Sequence, residues 1–330
     1  MSREYHVLLC GNVIAREGTE LLEPVATLAQ VGDYCTEAER IAAAREADAL
    51  LVRTGAVTRA LVEQCPRLKI VARHGVGYDA VDVPACTEHG VLVTITPNAN
   101  ATAVSEHALA LMLACARKIP QADATLKRGT WVREPFLGTE LSGKTLALVG
   151  LGRVGTKVAR LAQAFGMNVL AADPYTSPER AAEAGVTLLP LDEMLPLADF
   201  ISVHAPLTPE THHIIGPRTL PMLKPTAILV NTARGPLVDP EALADALEAG
   251  TLAAAALDVF EEEPFAADDR VSKLPNAIAT PHIAGQTAES LVNMAVAAAG
   301  SILAVLGGRL PEGLVNPEVL ENRTRVSIAR

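Results

Sequence analysis

Residues 145–155 read TLALVGLGRVG, an apolar run followed by three glycines in the spacing G-x-G-x-x-G. The apolar run has the length of a buried strand, and residues 154–165 after it show a helical pattern. In such a strand–turn–helix unit, Gly150 allows the tight turn, Gly152 lets a ligand approach the backbone, and Gly155 lets the helix pack against the strand. Because the first N–H groups of the helix then face an anion, this stretch predicts a pyrophosphate site.

An acidic residue follows the next apolar run. Residues 168–172 read NVLAA and are followed by Asp173, 18 residues after Gly155. A carboxylate at this place accepts hydrogen bonds from an adenosine ribose and repels a 2′-phosphate. The glycines and Asp173 together therefore predict a dinucleotide site that takes NAD rather than NADP. The simpler alternative is a tight turn and a helix cap.

Short apolar runs alternate with helical patterns along the whole chain. The strand-like runs fall into two series, at residues 6–13, 49–52, 70–72 and 91–95, and at residues 145–149, 168–172, 200–203, 227–230, 254–257 and 277–279. The helical patterns occupy residues 102–117, 154–165, 240–248 and 288–306. Alternating strands and helices indicate parallel strands with crossover helices. The 330 residues therefore predict an α/β fold with two doubly wound, Rossmann-like domains.

The composition argues against several kinds of partner. The formal net charge of −10 and the 3% of aromatic residues disfavour nucleic acid, whose phosphates would be repelled. The five cysteines form no C-x-x-C pair, so we expect reduced thiols and a cytoplasmic location. Residues 7–10 are too short a run for a signal peptide. Residues 291–308 carry no charge but are rich in alanine, so we expect a helix between packed domains rather than a membrane span.

Every strand of the second series is followed by a polar residue or a glycine. These residues are Gly150, Asp173, His204, Asn231 with Thr232 and Arg234, Asp258, and His282. Parallel strands end at one edge of a sheet, and ligands of open α/β sheets bind at that edge. The pattern therefore predicts a lined cleft.

Three residues near this edge form a set suited to the oxidation of a 2-hydroxy acid. His282 can take the hydroxyl proton as hydride leaves C2, and can return it in the reverse direction. Glu263 behind the imidazole would fix its tautomer and favour its protonated form. Arg234 can bind a carboxylate and stabilise charge on the carbonyl oxygen. The spacing alone equally allows three unrelated surface residues.

Six segments resemble a known family, the D-isomer-specific 2-hydroxyacid dehydrogenases and especially the phosphoglycerate dehydrogenase branch. The segments are RHGVGYD at 73–79, LVGLGRVG at 148–155, HAPLTPET at 204–211, NTARG at 231–235, LDVFEEEP at 257–264 and TPHIAG at 280–285. The resemblance spans nearly the whole chain. It implies a discontinuous substrate domain, residues 1–99 plus 288–330, and an NAD-binding Rossmann domain at residues 100–287.

The resemblance also implies roles for individual residues. Arg234 and His282 would be catalytic, Glu263 would be the partner of the histidine, and Glu261 and Glu262 would be bystanders. Asp258 and the Ala233 backbone would hold the nicotinamide carboxamide. The residues expected at NAD are Gly150, Gly152, Arg153, Val154, Gly155, Asp173, His204, Ala205, Pro206, Thr211, Thr232, Ala233, Asp258, His282 and Gly285.

For the substrate, a small anionic 2-hydroxy or 2-keto acid, the resemblance implies that the Val76–Gly77 backbone receives the carboxylate. Arg53 and Arg73 resemble the arginines that face the phosphate in phosphoglycerate dehydrogenases, although ordinary surface arginines explain them equally well. The alternative functions are a glyoxylate or hydroxypyruvate reductase and a non-catalytic NAD-sensing regulator of the same fold. The resemblance further implies a homodimer built through the cofactor domain. Since the chain stops soon after residue 317, we expect no serine-binding regulatory domain.

Two other histidine-containing positions predict no chemistry. His212 and His213 are adjacent, so they would diverge on a regular element, and no Cys or acidic residue has metal-ligand spacing with them. We therefore expect no metal site. His107 lies on an apolar helical stretch, where we expect a packing role.

Overall fold

The computed structural model describes residues 4–265 and 269–321. The chain divides into two compact units, the first drawn from Met1–Asn100 and Gln286–Arg330 and the second from Ala101–Gly285. Each unit is built on its own parallel sheet with helices between the strands. The predicted α/β class with two Rossmann-like sheets is confirmed.

The first unit has a five-stranded sheet in the order β2-β1-β3-β4-β5. Its strands are β1 (Tyr5–Cys10), β2 (Ala26–Val31), β3 (Ala49–Val52), β4 (Ile70–Arg73) and β5 (Leu92–Thr94). The helices between them are α1 (Arg16–Leu22), α2 (Glu37–Ala44), α3 (Arg59–Gln64) and α4 (Val83–Glu88). Three of these short helices begin at a side-chain cap, because Thr36, Thr58 and Asp82 each accept a hydrogen bond from a first-turn N–H group.

The second unit has a seven-stranded sheet in the order β12-β11-β10-β9-β6-β7-β8. Its helices are α5 (Ala101–Ala116), α6 (Ile119–Lys127), α7 (Arg153–Ala164), α8 (Pro178–Glu183), α9 (Leu191–Met194) and α10 (Pro240–Glu248). Its strands are β6 (Thr145–Val149), β7 (Asn168–Ala172), β8 (Thr187–Leu188), β9 (Phe200–Val203), β10 (Ile228–Asn231), β11 (Ala254–Leu257) and β12 (Ala277–Ala279).

The order of the second sheet reverses at β6. From β6 the chain runs outward through β7 and β8, and then returns to add β9 to β12 on the other side. A reversal of this kind opens a crevice beyond the carboxyl ends of the two strands at the switch, here β6 and β9. The glycine loop follows β6 and His204 follows β9, so both lie at this crevice.

The last long helix, α11 (Ala288–Leu306), belongs to the first unit. Ala298, Ala299, Ile302 and Val305 lie in the core of that unit, and α11 packs against α1, β3 and β4. A Cβ on Gly18 of α1 would come within 2.7 Å of the Ala295 backbone, so the two helices approach closely. Among the described residues α11 alone has the length and hydropathy of a membrane span. Its small residues, which we interpreted as packing between domains, pack inside the first unit.

Candidate active site

The glycine loop after β6 has the shape that a pyrophosphate site requires. Gly150 has φ +98°, and a Cβ there would lie 2.8 Å from the Ala205 nitrogen, so only glycine fits. A Cβ on Gly155 would collide with the carbonyl oxygen of Gly150. By contrast, nothing lies within 4 Å of the place where a Cβ of Gly152 would stand, although Gly152 begins α7 with no side-chain cap. The open space and the uncapped N–H groups fit a phosphate.

Asp173 lies beside this loop, at the end of β7. Its Oδ2 accepts a hydrogen bond from the Leu151 N–H at 2.7 Å, and its Oδ1 accepts from the N–H groups of Tyr175 and Thr176 at 2.9 and 3.1 Å. These bonds fix the carboxylate next to the glycine loop. An ionised carboxylate offers about four acceptor positions, so Oδ2 retains one for a ribose hydroxyl.

The segment after β9 forms the other side of the switch point. Burial lowers the pKa of His204 to about 4, so the ring is neutral at physiological pH. Its Nε2 shares a 2.8 Å hydrogen bond with the Ser202 hydroxyl. Further along, the Thr211 hydroxyl donates to the Pro206 carbonyl at 2.7 Å and accepts from the Thr208 N–H at 2.8 Å. Thr211 therefore links the turn at 209–213 to the segment that contains Pro206.

The loop after β10 contains a buried hydroxyl that the protein does not satisfy. Thr232 Oγ1 is buried and has no hydrogen-bond partner among the described residues. Asn231 shapes the loop around it, because its Nδ2 donates to the Arg234 carbonyl at 2.7 Å and its Oδ1 accepts from the Ala233 N–H at 3.0 Å. A buried polar group without a partner is costly, so this hydroxyl is suited to a bound ligand.

The loops after β10 and β11 touch at Gly235. A Cβ on this glycine would overlap the carbonyl group of Phe260, so the close approach requires glycine. The contact brings Arg234 close enough to Glu263 for its charge to favour ionisation of that carboxyl. The Arg234 guanidinium is itself braced, since its Nη1 donates to the Ala233 carbonyl at 2.5 Å.

Glu263 and His282 form a close pair. His282 Nδ1 and Glu263 Oε2 lie 2.6 Å apart, and Glu263 Oε1 accepts from the Phe260 N–H at 3.1 Å. Burial opposes ionisation of Glu263, but the hydrogen bond and charge of His282, the Phe260 N–H and the charge of Arg234 outweigh it. The pKa of Glu263 consequently lies below its usual value. The pairing at Nδ1 leaves His282 Nε2 for proton exchange with a substrate.

Asp258 supports the turn that carries His282. The carboxylate is fully buried and accepts hydrogen bonds from the Thr280 hydroxyl at 2.6 Å and from the N–H groups of Ile283 and Ala284 at 2.9 and 2.8 Å. Burial raises its pKa, but hydrogen bonds led by that of His107 outweigh burial and hold the pKa below its usual value. The Asp258 carbonyl also accepts from the His282 N–H at 2.9 Å. Gly285 follows Ala284 at the end of this turn.

His107 is a supporting residue whose contacts the sequence did not indicate. Its Nε2 lies 3.2 Å from Thr280 Oγ1 and 3.5 Å from Asp258 Oδ1, so it touches both residues that hold the turn. The apolar surroundings of His107 in α5 indicated packing alone. Only the approach of α5 to the ends of β11 and β12 gives the ring polar partners.

The residues expected to bind the substrate lie in the first unit. The Arg73 guanidinium donates to three carbonyl groups, those of Gly77, Val52 and Arg53, at 2.9, 3.1 and 3.4 Å. Arg73 therefore braces the loop in which Val76 and Gly77 lie. Arg53 follows β3 and lies 3.6 Å from Asp33, with both side chains mostly covered. The proposed contacts with a substrate stay predictions.

Comparison with known proteins identifies the family. The NAD-binding domain of the D-isomer-specific 2-hydroxyacid dehydrogenases matches residues 109–284. A D-3-phosphoglycerate dehydrogenase from Methanocaldococcus jannaschii is 45% identical over 94% of this chain and 59% of its own length. The enzyme of that name from Mycobacterium bovis is 50% identical over 84% of this chain and 54% of its own length. A crystal structure of a glyoxylate reductase from Paecilomyes thermophila superposes with a TM-score of 0.86, at 31% identity, covering 96% of this chain and 99% of that chain.

The chain belongs to the D-isomer-specific 2-hydroxyacid dehydrogenase family and carries its NAD-binding domain. Within the family it is similar to D-3-phosphoglycerate dehydrogenases, so the predicted resemblance is confirmed. The chain spans between half and three fifths of the length of these two relatives.

Proposed function

We propose that the protein catalyses NAD-dependent hydride transfer between a D-2-hydroxy acid and its 2-keto acid, with 3-phosphoglycerate as the leading substrate. The observation that carries the proposal is the 2.6 Å pair of His282 and Glu263 beside Arg234. A carboxylate on one imidazole nitrogen leaves the other as a proton donor and acceptor of defined tautomer. The M. jannaschii and M. bovis relatives bear the name of this activity.

The chemistry follows from the roles of these three residues. In the direction of reduction, NADH held at the switch point of the second sheet would supply the hydride that C2 of the keto acid accepts. His282 donates the Nε2 proton to the carbonyl oxygen, and the ionised Glu263 stabilises the imidazolium before transfer. Arg234 stabilises the negative charge that develops on that oxygen. In the direction of oxidation, His282 accepts the hydroxyl proton.

Room for the cofactor is provided by the switch point of the second sheet. Gly152 offers open space at the start of α7, Asp173 offers an acceptor beside the glycine loop, and Thr232 offers a buried hydroxyl. These three features fit pyrophosphate, ribose and a polar group of a dinucleotide in turn. We propose that the Val76–Gly77 backbone of the first unit receives the substrate carboxylate.

A specific observation favours a second candidate, a glyoxylate or hydroxypyruvate reductase. The Arg73 guanidinium donates to backbone carbonyls, and Arg53 lies near Asp33. An arginine already engaged in this way is a poorer phosphate ligand than one held free for that purpose. The glyoxylate reductase with a similar fold agrees with this alternative.

The test is the rate of NADH oxidation with 3-phosphohydroxypyruvate, hydroxypyruvate, glyoxylate and pyruvate. A preference for the phosphorylated compound by at least tenfold in kcat/KM supports the leading substrate. Arg53→Met should then raise KM for that compound alone, while Arg45→Met, which changes an exposed arginine at the end of α2, should not. A preference for an unphosphorylated acid selects the second candidate. NADH binding without turnover on any acid contradicts both and indicates an NAD-sensing protein.

The proposal includes a homodimer formed through the second unit. Several large apolar side chains between residues 119 and 137 are exposed, and Trp131 and Leu137 are the most exposed of them, at 75% and 83%. A concentration of this kind indicates a protein contact surface. Light scattering on the eluting protein should give twice the mass of the chain, and a monomer at micromolar concentration would contradict the dimer.

A cytoplasmic location is also part of the proposal. All five cysteines are free thiols, and four of them are buried. Unpaired cysteines suit a reducing compartment.

A further inference from the structure

Two histidines and a glutamate of the second unit lie close together and have no role in the proposed reaction. His212, His213 and Glu261 each place a potential ligand atom so that all three atoms lie within 4.8 Å of one another. His212 and His213 belong to the loop between β9 and β10, and Glu261 to the loop after β11. The three residues are called the His–His–Glu cluster below.

The backbone explains why adjacent histidines can point the same way. Residues 209–213 form a turn rather than a helix or strand, and His213 has φ +50°. The His213 N–H donates to the Pro236 carbonyl at 2.8 Å, and the Ile215 N–H donates to the Leu237 carbonyl at 3.1 Å, which fixes this left-handed residue. The two rings then stack with their centroids 3.9 Å apart. Our expectation that they diverge assumed a regular element, which is absent here.

The distances within the cluster are close to those between ligands of one ion. His213 Nε2 lies 3.4 Å from Oε2 of Glu261, and His212 Nε2 lies 3.9 Å from Oε1 of the same carboxylate. In a tetrahedral site with metal–ligand bonds of about 2.0–2.1 Å, neighbouring ligand atoms are roughly 3.3 Å apart. A charge-assisted hydrogen bond would be shorter, at about 2.8 Å. His213 and Glu261 are within hydrogen-bond distance of each other, and their 3.4 Å separation is also that of two ligands of one ion.

A fourth residue lies beside one of the histidines. Asp239 Oδ2 lies 3.4 Å from His213 Nδ1, on the side of the ring away from Glu261. Asp239 Oδ1 accepts from the Ala242 N–H at 2.9 Å and so caps α10, which fixes the carboxylate. A carboxylate behind a histidine is the usual outer partner of a metal ligand, because it holds the ring and makes the other nitrogen more basic.

We propose that the His–His–Glu cluster binds one divalent first-row transition metal ion of the zinc class. The protein ligands are Nε2 of His212, Nε2 of His213 and the carboxylate of Glu261, and solvent completes the coordination. Imidazole with carboxylate suits Zn²⁺ and its neighbours, whereas Mg²⁺ and Ca²⁺ prefer oxygen alone. The side chains of His212 and Glu261 are 50% and 38% exposed, so an ion can enter from solvent.

The test is titration of the untagged full-length chain, freed of metal with a chelator, with ZnCl₂ in a calorimeter. We expect the parent chain to bind one equivalent of Zn²⁺. The affinity should fall at least tenfold in each of three variants, His212→Ala, Glu261→Gln and His213→Asn. Asparagine tolerates the positive φ of residue 213, so the last variant keeps the backbone. The matched control is His6→Asn, which changes an exposed histidine of the first unit and should bind as the parent does.

Two further readouts separate a built site from surface binding. Asp239→Asn keeps a good helix cap and should weaken Zn²⁺ binding by about tenfold, the loss typical of an outer-shell partner. Co²⁺ should give a visible ligand-field spectrum that disappears in His212→Ala. The proposal is overturned by the absence of stoichiometric binding, by unchanged affinity in the three ligand variants, or by an equal loss in His6→Asn. Circular dichroism of each variant without metal checks the fold.

Discussion

At the scale of single residues, the character of the site depends on which nitrogen of His282 is occupied. Glu263 holds Nδ1, and the positive φ of His282, +53°, is maintained by the N–H bonds of the surrounding turn to Asp258. Position and tautomer are therefore set before any substrate arrives. Such preorganisation is what a proton-transfer residue requires.

Replacement of this histidine should separate chemistry from cofactor binding. In His282→Asn we expect kcat to fall by about 10²–10⁴, because the proposed general acid and base is removed, while NADH binding remains. Asparagine is chosen since it accepts a positive φ better than alanine does. Steady-state rates and fluorescence titration with NADH measure the two effects. Turnover within threefold of the parent would refute the proposed role.

Asp173 should decide between the two nicotinamide cofactors. Its carboxylate is fixed beside the glycine loop by the Leu151 N–H, where it would repel a 2′-phosphate. In Asp173→Asn the ratio of kcat/KM for NADH over NADPH should fall by at least tenfold. The measurement is the rate with each cofactor at a saturating keto acid. An unchanged ratio would show that another group discriminates between the two cofactors.

At the scale of elements, the candidate site depends on two loops that approach each other closely. Gly235 begins the turn after β10, and its Cα lies against the Phe260 carbonyl in the loop after β11. Arg234 directly precedes Gly235, and Glu263 follows Phe260 by three residues, so both side chains start close to this contact. A change in the distance between the loops would therefore alter the electrostatic contact of Arg234 with Glu263.

A methyl group at this contact should be strongly destabilising. In Gly235→Ala the new Cβ would overlap backbone atoms, and a change of side-chain rotamer cannot relieve such a clash. We therefore expect the free energy of unfolding to fall by about 1–3 kcal/mol. We also expect kcat to fall. The matched control is Gly300→Ala in α11, where the added Cβ meets nothing within 4 Å. That variant should gain up to about 1 kcal/mol from helix propensity. Denaturant unfolding measures both, and equal effects would contradict the proposed close contact.

At the scale of the whole molecule, each unit contains an ion-paired aspartate that links the first residues of neighbouring strands. Asp48 precedes β3 and accepts from the His6 N–H at 3.0 Å, from Arg67 at 2.9 Å and from Lys69 at 3.1 Å. Asp199 precedes β9 and accepts from the Thr145 N–H and from Lys224, both at 2.9 Å. In both residues burial raises the pKa, but the hydrogen bonds outweigh it and the pKa lies below its usual value.

This arrangement predicts how stability responds to acid. A carboxyl whose pKa is lower in the folded state contributes its stabilisation fully above its unfolded pKa, about 3.9 for aspartate, and loses it as the pH falls through the lower folded value. The free energy of unfolding should therefore fall as the pH drops below about 4.

A variant isolates the contribution of one aspartate. Asp48→Asn should lose about 1–3 kcal/mol at neutral pH, the usual effect of hydrogen bonds to a charged group, and should show a shallower fall in acid than the parent. Urea unfolding of both proteins across pH 3–7 is the measurement. Parallel curves for the two proteins would exclude Asp48 as a source of acid sensitivity.

The sequence predicted well those elements whose signal is local and strong. Strands β6, β7, β9 and β11 and helix α10 have the predicted bounds. Strand β2 was missed, because its alternating polar residues at a sheet edge lack the continuous apolar run of a covered strand. Strand β8 has only two residues, and the short helices α2 to α4 begin at side-chain caps rather than showing a long periodic pattern.

By itself, the sequence determined the α/β class, the phosphate loop and the acid after it, since each depends on neighbouring residues. The sequence also predicted Glu263 as the partner of His282, and only the tertiary structure decided which residues surround Glu261. Glu263 lies against His282, while the two oxygens of Glu261 lie near the Nε2 atoms of His212 and His213. Their partners come from distant parts of the chain, through a left-handed residue at 213 and a backbone contact at Gly235. Local sequence patterns do not predict such contacts, because the contacts depend on how distant loops pack at the edge of the sheet.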